Sequence, residues 1–208
     1  MVMHRREFLG YAASALTIAL PGHDSRSNAP SAVTVLDLKE HCSLRESLAG
    51  YERASAGVVP RRPMLIVPAA MTLPPAVTSE IATCLGGGGT VLLESGAGFA
   101  GEWGLRVHRD MLRRLQVHVA AARCKSRDVP YIDYAWPYRT KIRDFSRVVP
   151  LAEPQPGEVI AWVDRLPVAS KRRIGTGTLI YLGSPVGPSL WAGDVEARRW
   201  LHAVAHAA

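Results

Sequence analysis

The sequence has few cysteines and no long apolar run, and each shortage excludes a class of protein. Three cysteines, Cys42, Cys84 and Cys124, are an odd number at wide spacings, so they predict neither a disulfide framework nor a paired metal knuckle. The apolar stretch from Phe8 to Leu20 is about a dozen residues long, against the ~20 of a membrane-spanning helix. No dinucleotide or phosphate-loop motif occurs, so no cofactor is predicted.

The sequence also lacks a continuous basic stripe, although its net charge is +7. The excess comes from arginines that are scattered along the chain, and aromatic residues do not alternate with them. This pattern is typical of a solvated surface and argues against nucleic acid as a partner.

The first residues have the order of an export signal. Arg5 and Arg6 are followed by Phe8 and Leu9 and then by the short apolar run, which ends at Pro21-Gly22. This segment resembles a bacterial twin-arginine (Tat) signal. The resemblance implies that residues 1–31 are a signal and polar linker, and that the Tat translocase exports the folded protein to the periplasm or cell envelope. Cleavage of the signal and its retention as a weak membrane anchor are both open.

Residues 32–208 have the length of one globular domain, and their first part alternates predicted strands with predicted helices. Strands are predicted at 32–37, 64–68 and 90–94, and helices at 38–54 and 74–85, with a glycine cap at 86–89. Continuous apolar strands are typical of parallel sheets that are covered on both faces. We therefore expect an α/β three-layer sandwich with a mostly parallel sheet.

The later part of the chain is less regular. A helix is predicted at 103–114 and a strand at 115–119, and a turn at 164–167 joins two strands, 158–163 and 168–173. A further strand is predicted at 178–182, and Asp194 is a candidate N-cap for the last helix. Residues 128–150 are rich in aromatic residues and proline, which predicts a long ordered loop or a small insertion.

Three motifs carry a family resemblance: residues 65–68, the glycine run 86–89 with the strand and turn 90–96, and residues 174–183. Together they resemble the class I glutamine amidotransferase-like superfamily, and most closely its atypical ThuA-like and β-galactosidase trimerisation-like members. The resemblance implies a flavodoxin-like layout. Catalytic members of that superfamily use a Cys-His-Glu triad, but Ser95 stands at the cysteine position and residues 183–187 contain no histidine. Glutamine hydrolysis is therefore not implied.

Glu94 and Ser95 are the candidate site residues. Glu94 is predicted at the carboxyl end of a buried parallel strand, where open α/β sheets bind ligands; binding of a polar ligand and anchoring of a loop are both open. Ser95 would need a base to act as a nucleophile. The mid-chain candidates, His108 and His118, are not placed near it by the sequence, which favours a tight turn at Ser95.

Two other clusters have a structural and a functional interpretation. His202 and His206 have a spacing that can bind metal, but no glutamate lies between them, and we predict two solvent-facing side chains and no metal site. The second cluster combines aromatic rings with a cation and can bind a sugar or a partner protein, or pack on the sheet edge. Its members are Tyr131, Tyr134, Trp136, Tyr138 and Arg139.

Two functions follow from these observations. The first is an exported, non-catalytic amidotransferase-like domain that serves as a partner-binding or accessory subunit in the cell envelope, because the triad is missing and Tat export suits a folded domain that travels with a partner. The alternative is a periplasmic hydrolase or carbohydrate-processing protein that uses Glu94 or Ser95 in a strand-end cleft.

Overall fold

The computed structural model describes residues 33–123, 130–145 and 147–208, without the side chain of Phe99. The signal residues Arg5, Arg6, Phe8 and Leu9 lie outside the described residues, and their role stays a prediction. Within the described ranges, no helix is both long and apolar enough to cross a membrane.

The first half of the domain alternates strands and helices as predicted. Strands β1 (Val33–Val35), β2 (Met64–Ala70) and β3 (Thr90–Ser95) are parallel neighbours, connected by helices α1 (Arg45–Ser55) and α2 (Pro75–Gly86). Every residue of β2 and β3 is buried, in agreement with their continuous apolar sequences. The glycine run ends α2, and Gly88 takes a left-handed φ of 79° there. Helix α1 begins later than predicted, because Cys42 forms a bridge with Ala70.

The strands of the second half of the chain add an antiparallel part to the sheet. Strand β8 (Gly177–Leu182) is parallel to β3, but β7 (Leu166–Ile174), β6 (Val159–Val163), β4 (Tyr131–Tyr134) and β5 (Thr140–Arg143) each run antiparallel to the preceding strand in the sheet. The strand order is β1-β2-β3-β8-β7-β6-β4-β5. The α/β class is confirmed, whereas the prediction of a mostly parallel sheet is wrong, because the eight-stranded sheet is mixed.

Short turns explain why this half is antiparallel. Asp164 and Arg165 connect β6 to β7 with φ values of 47° and 64°, the left-handed pair that a two-residue hairpin turn requires. Such a turn reverses the chain directly, whereas a parallel neighbour needs a long crossover. The predicted strand at 115–119 is wrong: within the part of the chain that the structure describes, Val119 makes only an isolated bridge to Leu151. The described part of the predicted insertion carries the β4–β5 hairpin.

Alternate strand residues pack on opposite faces of the sheet, as strand geometry requires. On one face, Ile66, Leu92 and Ile180 join a core with α1, α4 (Gly187–Trp191) and α5 (Val195–Ala207). On the other face, Leu65 and Val91 pack with α2 and α3 (Glu102–Arg114). The predicted cap of α5 is confirmed, because the Asp194 carboxylate accepts hydrogen bonds from two main-chain N–H groups of its first turn.

Helices α1 and α4 approach so closely that a larger residue does not fit between them. A Cβ atom on Gly50 would lie 1.9 Å from the carbonyl oxygen of Gly187. This backbone-to-backbone contact holds the start of α4 next to α1 and over the end of β3. It therefore decides which groups surround Glu94.

Candidate functional site

Glu94, at the carboxyl end of β3, is completely buried and connects three segments of the chain. Its Oε2 accepts a hydrogen bond from the Ala69 N–H at 2.9 Å, at the end of β2. Its Oε1 accepts from the Gly187 N–H at 2.8 Å and from the Val186 N–H, both at the start of α4. Of the two interpretations of Glu94, the structure therefore favours the anchoring of loops.

The protonation of Glu94 is set by two opposing effects. Burial raises its pKa to about 7, while the backbone donors and the neighbouring hydroxyls of Ser47 and Tyr51 lower it. The two hydroxyls are buried close to Glu94, but neither makes a hydrogen bond of standard length and angle with a described residue. A carboxyl group with this pKa changes its charge near neutral pH, but it is enclosed on all sides and faces no solvent.

Ser95 contacts a histidine that the sequence did not place near it. The Ser95 Oγ lies 2.9 Å from the Nε2 of His108 on α3, and it also accepts a hydrogen bond from the Ala97 N–H at 3.2 Å. A serine hydroxyl at this distance from an imidazole has the geometry of a nucleophile and its base. Both side chains have a relative exposure of 0%, so no substrate in solvent reaches the pair.

His108 is held neutral. Burial lowers its pKa to about 4, although the Met71 main chain nearby favours the charged form. Its Nδ1 has no regular hydrogen bond to a described residue, so no carboxylate orients the ring as in a catalytic triad. Tyr181 of β8 completes the cluster: its buried hydroxyl lies beside Ser95, and burial raises its pKa.

Glu94 and Ser95 point to opposite faces of the sheet. Glu94 meets residues of α1 and α4, whereas Ser95 meets His108 of α3. Successive side chains of a strand alternate between faces, so this separation follows from their adjacency in the sequence. The two residues therefore cannot act together on one ligand.

The chain that follows the β4–β5 hairpin covers the end of the sheet. Val149 is fully buried and packs with Ala97 and Leu105 in a small apolar cluster. The Val149 N–H also donates to the carbonyl oxygen of Gly183, just after β8. Protein atoms therefore fill the space at the strand end near Ser95, and no open cleft lies there among the described residues.

The candidate partner-binding residues are divided between the core and the surface. Tyr134 is buried, with its ring 4.7 Å from that of Trp200, so it stabilises the core. Trp136 is half-buried, accepts a hydrogen bond from the Trp200 indole through its carbonyl oxygen, and lies under the Lys171 ammonium at 4.2 Å. Tyr138 is also half-buried, whereas Tyr131 and Arg139 are exposed.

A different surface carries the more prominent aromatic side chains. Phe145, after β5, and Trp191, at the end of α4, are 49% and 47% exposed and line one apolar groove of about 260 Å³. The Arg143 guanidinium lies 5.3 Å from the Phe145 ring, and the Arg53 guanidinium lies 5.8 Å from the Trp191 ring. We call these two rings, with the groove between them, the α4 patch. The other residues that line it are Leu44, Glu46, Pro188 and Ala192.

The two histidines of the last helix face solvent, as the sequence predicts. His202 and His206 are exposed, with stacked rings 4.4 Å apart. Across the ranges that the structure describes, no group of three or more potential metal ligands comes together. Cys42 and Cys84 are free thiols, while Cys124 lies outside the described residues.

Sequence reasoning named His108 as a candidate base but did not place it beside Ser95, and it missed the α4 patch. His108 lies on the buried face of α3 with Leu105 and Leu112, at helical spacing. A histidine in such an inward stripe, on the helix that directly follows the Ser95 turn, is a signal that could have identified it. The α4 patch joins residues 145 and 191, and their proximity depends on how α4 packs against α1.

Comparison with known proteins identifies the fold. No family model and no curated protein matches the chain. The fold is similar to part of an exo-β-1,4-mannosidase from Opitutaceae bacterium strain TAV5, with 14% identity and a TM-score of 0.52 over 77% of this chain and 31% of the mannosidase. It is also similar to part of a β-galactosidase from the Antarctic haloarchaeon Halorubrum lacusprofundi, with 15% identity and a TM-score of 0.51 over 84% of this chain and 31% of the enzyme.

A third similar structure is almost the same size as this chain. It is a cytoplasmic protein from Salmonella typhimurium LT2, with 11% identity and a TM-score of 0.53 over 93% of this chain and 96% of that protein. At these identities the likeness shows the fold alone. The chain spans about a third of the length of the two glycosidases. The β-galactosidase among them agrees loosely with the resemblance to β-galactosidase trimerisation domains.

Proposed function

We propose that the chain is a non-catalytic accessory domain that binds another protein of a carbohydrate-processing system in the bacterial cell envelope. One observation carries the proposal: the strand-end residues Glu94, Ser95 and His108 are fully buried. Glu94 accepts hydrogen bonds from the main-chain N–H groups of three residues. Ser95 accepts one from the Ala97 N–H in the following turn and contacts His108 on α3. These groups stabilise the fold and are not presented to a substrate. The sequence also lacks the Cys-His-Glu triad of the amidotransferase-like superfamily that it resembles.

The link to carbohydrate processing is supported by the similar folds. Two of the structures are glycosidases in which the similar region makes up 31% of the chain. A region of that size leaves most of each glycosidase outside the similarity. An accessory role alongside a glycosidase suits a domain whose strand-end residues Glu94, Ser95 and His108 are buried.

The envelope location is supported by the resemblance of residues 1–31 to a Tat signal. Arg5 and Arg6 are the residues that the translocase would recognise, and the Tat route carries proteins that have already folded. Replacement of both arginines by lysine is expected to retain the protein in the cytoplasm. Cell fractionation measures this outcome, and unchanged export of the double variant would contradict it.

The surface that we assign to the partner is the α4 patch. Exposed phenylalanine and tryptophan side chains in one groove are typical of protein interfaces, where such anchors supply most of the binding energy. Two arginines stack on the rings, and the whole chain is basic. This charge fits a partner segment that inserts an apolar side chain between the rings and carries acidic residues on either side.

The experiment compares full-length protein with patch variants. Tagged protein is captured from the native envelope, the partner is identified, and its affinity is then measured with both proteins purified. Trp191→Ser and Phe145→Ser are each expected to weaken binding at least tenfold, and higher salt should weaken it further. Trp103→Ser is the matched control, because Trp103 is 72% exposed but lies on α3.

Three results would overturn the proposal. They are recovery of the chain alone as a monomer, equal binding by the patch variants and the Trp103 control, and turnover of a glycoside by the purified chain. The last result would favour the hydrolase alternative, for which the 2.9 Å contact between Ser95 and His108 is the supporting observation. Nitrophenyl β-galactoside and β-mannoside are the probes, with Ser95→Ala as the variant that must then lose activity.

A further inference from the structure

A polar cleft lies away from the strand end, on the face of the sheet that carries α2 and α3. Its volume is about 290 Å³, at the small end of the range for ligand sites. Ser170 and Arg172 of β7 form one side, and the residues after α3 (116–118) and residues 151–155 form the others. The cleft shares no residue with the Glu94 and Ser95 sites or with the α4 patch.

Arg172 fixes two sides of this cleft. Its Nη2 lies 3.2 Å from the Oε1 of Glu158, and its Nη1 donates a hydrogen bond to the carbonyl oxygen of Gln116. The side chains of Arg172 and Glu158 are only 13% and 23% exposed, so the pair is held in place and largely shielded. A guanidinium carries five N–H donors, and a carboxylate accepts about four hydrogen bonds, so both groups can also bind a ligand.

Two residues on the cleft wall have a backbone conformation that favours glycine. Gln116 has a φ of 58° and lies two residues after the end of α3, where its N–H donates to the Arg113 carbonyl and the Val117 N–H donates to the Leu112 carbonyl. Glycine is the usual residue at this position of a helix end. Glu153, on the neighbouring segment 151–155 that pairs with residues 118–120, has a φ of 50°. A side chain at such a φ is strained relative to glycine, so the fold alone does not explain either of them.

The chemistry of the lining defines the ligand. One arginine and two glutamates give the cleft a net negative formal charge, which disfavours an anion such as phosphate. Among the described residues there is also no cluster that could hold a metal ion. What the cleft offers is a mixture of donors and acceptors at short range, including the Gln155 amide and the Ser170 hydroxyl. A neutral ligand with neighbouring hydroxyl groups satisfies both kinds at once.

We propose that this cleft binds a small neutral saccharide of one or two rings. Gln116 and Glu153 contact its hydroxyl groups from two neighbouring segments, and the Arg172–Glu158 pair positions it against β7. The choice of a saccharide among neutral polyols rests on the proposed carbohydrate-related function. The cleft and the α4 patch are separate surfaces, so a test of one leaves the other unaffected.

The experiment titrates the full chain with galactose, with mannose and with β-1,4-linked mannobiose, and follows backbone amide shifts by NMR. We expect saturable shifts confined to residues 116–118, 151–158 and 170–172, with a Kd of about 1 mM, as is ordinary for a few hydrogen bonds. Gln116→Gly and Glu153→Gly are each expected to weaken binding about tenfold or more while the melting temperature stays the same or rises.

Arg165→Gly is the matched control. Arg165 also has a left-handed φ, of 64°, but it lies in the β6–β7 turn outside the cleft. Arg165→Gly should leave the melting temperature the same or raise it, as in the two cleft variants, and should leave saccharide binding unchanged. Shifts that do not saturate, shifts spread over the whole surface, or glycine variants that bind as well as the wild type would overturn the proposal. If the wild-type chain binds no saccharide but still binds its partner, this inference is rejected and the accessory role stands.

Discussion

Replacing Glu94 by glutamine should change how stability depends on pH, and the change has a sign that the structure fixes. Burial raises the Glu94 pKa from an ordinary 4.5 to about 7, so the folded protein binds the proton more tightly than the unfolded chain does. The stabilisation that the protonated Glu94 gives the folded state is therefore fully present below pH 4.5 and is lost as the pH rises through 7. A shift of this size corresponds to about 3 kcal/mol.

His108 has the opposite effect on the pH dependence of stability, over nearly the same pH range. Its pKa falls from an ordinary 6.5 to about 4, so the unfolded chain binds the proton more tightly. Its contribution is fully present above pH 6.5 and is lost as the pH falls through 4, again by about 3 kcal/mol. In the wild type the two effects largely cancel, and these groups together leave stability nearly flat between pH 4 and 7.

Urea unfolding of wild type, Glu94→Gln and His108→Gln at several pH values, followed by tryptophan fluorescence, tests this cancellation. The stability of Glu94→Gln minus that of wild type should increase by about 3 kcal/mol from pH 4.5 to 7. The corresponding difference for His108→Gln should decrease by a similar amount from pH 4 to 6.5. Differences between proteins remove the titration of all common groups. A flat or falling curve for Glu94→Gln would refute the reasoning and show that the three N–H donors outweigh burial.

Three further predictions concern the stability of single contacts. Ser95→Ala should destabilise the fold by about 1–3 kcal/mol, because it leaves a buried imidazole and a main-chain N–H without their partner; unchanged urea unfolding would contradict it. Gly50→Ala should be severely destabilising in thermal unfolding, because its Cβ would meet a carbonyl oxygen at 1.9 Å, whereas the control Gly86→Ala, in open space at the end of α2, should not. Asp194→Ala should cost about 1 kcal/mol through loss of the α5 cap, and Asp194→Asn, which keeps an acceptor, should cost less.

The parallel half of the fold could be predicted because its signals are local. The runs at 64–67 and 90–93 are continuously apolar, and glycines 86–89 mark the end of the helix between them. The antiparallel half was underestimated, although its turns were recognised. The turn at Asp164-Arg165 implies antiparallel neighbours, and β4 and β5 were hidden in a segment whose composition predicts a loop.

The site was predictable in position but not in its contacts. The place of Glu94 at the end of a central parallel strand follows from the sequence, and so does its option of anchoring a loop. Its donors, at 69 and 186–187, come from distant parts of the chain, and their arrival depends on the close approach of two glycines in α1 and α4. The contact of Ser95 with His108 depends in the same way on how α3 packs against the sheet.

The buried serine and histidine also show why their geometry alone does not make an active site. A base must accept a proton in the transition state, and burial disfavours the imidazolium that His108 would become. A pKa of about 4 in place of 6.5 makes this base weaker by a factor of roughly several hundred. In a triad, a carboxylate beside the second ring nitrogen offsets that cost. Here the carboxylate next to Ser95 in the sequence, Glu94, faces the other side of the sheet and cannot fill that place.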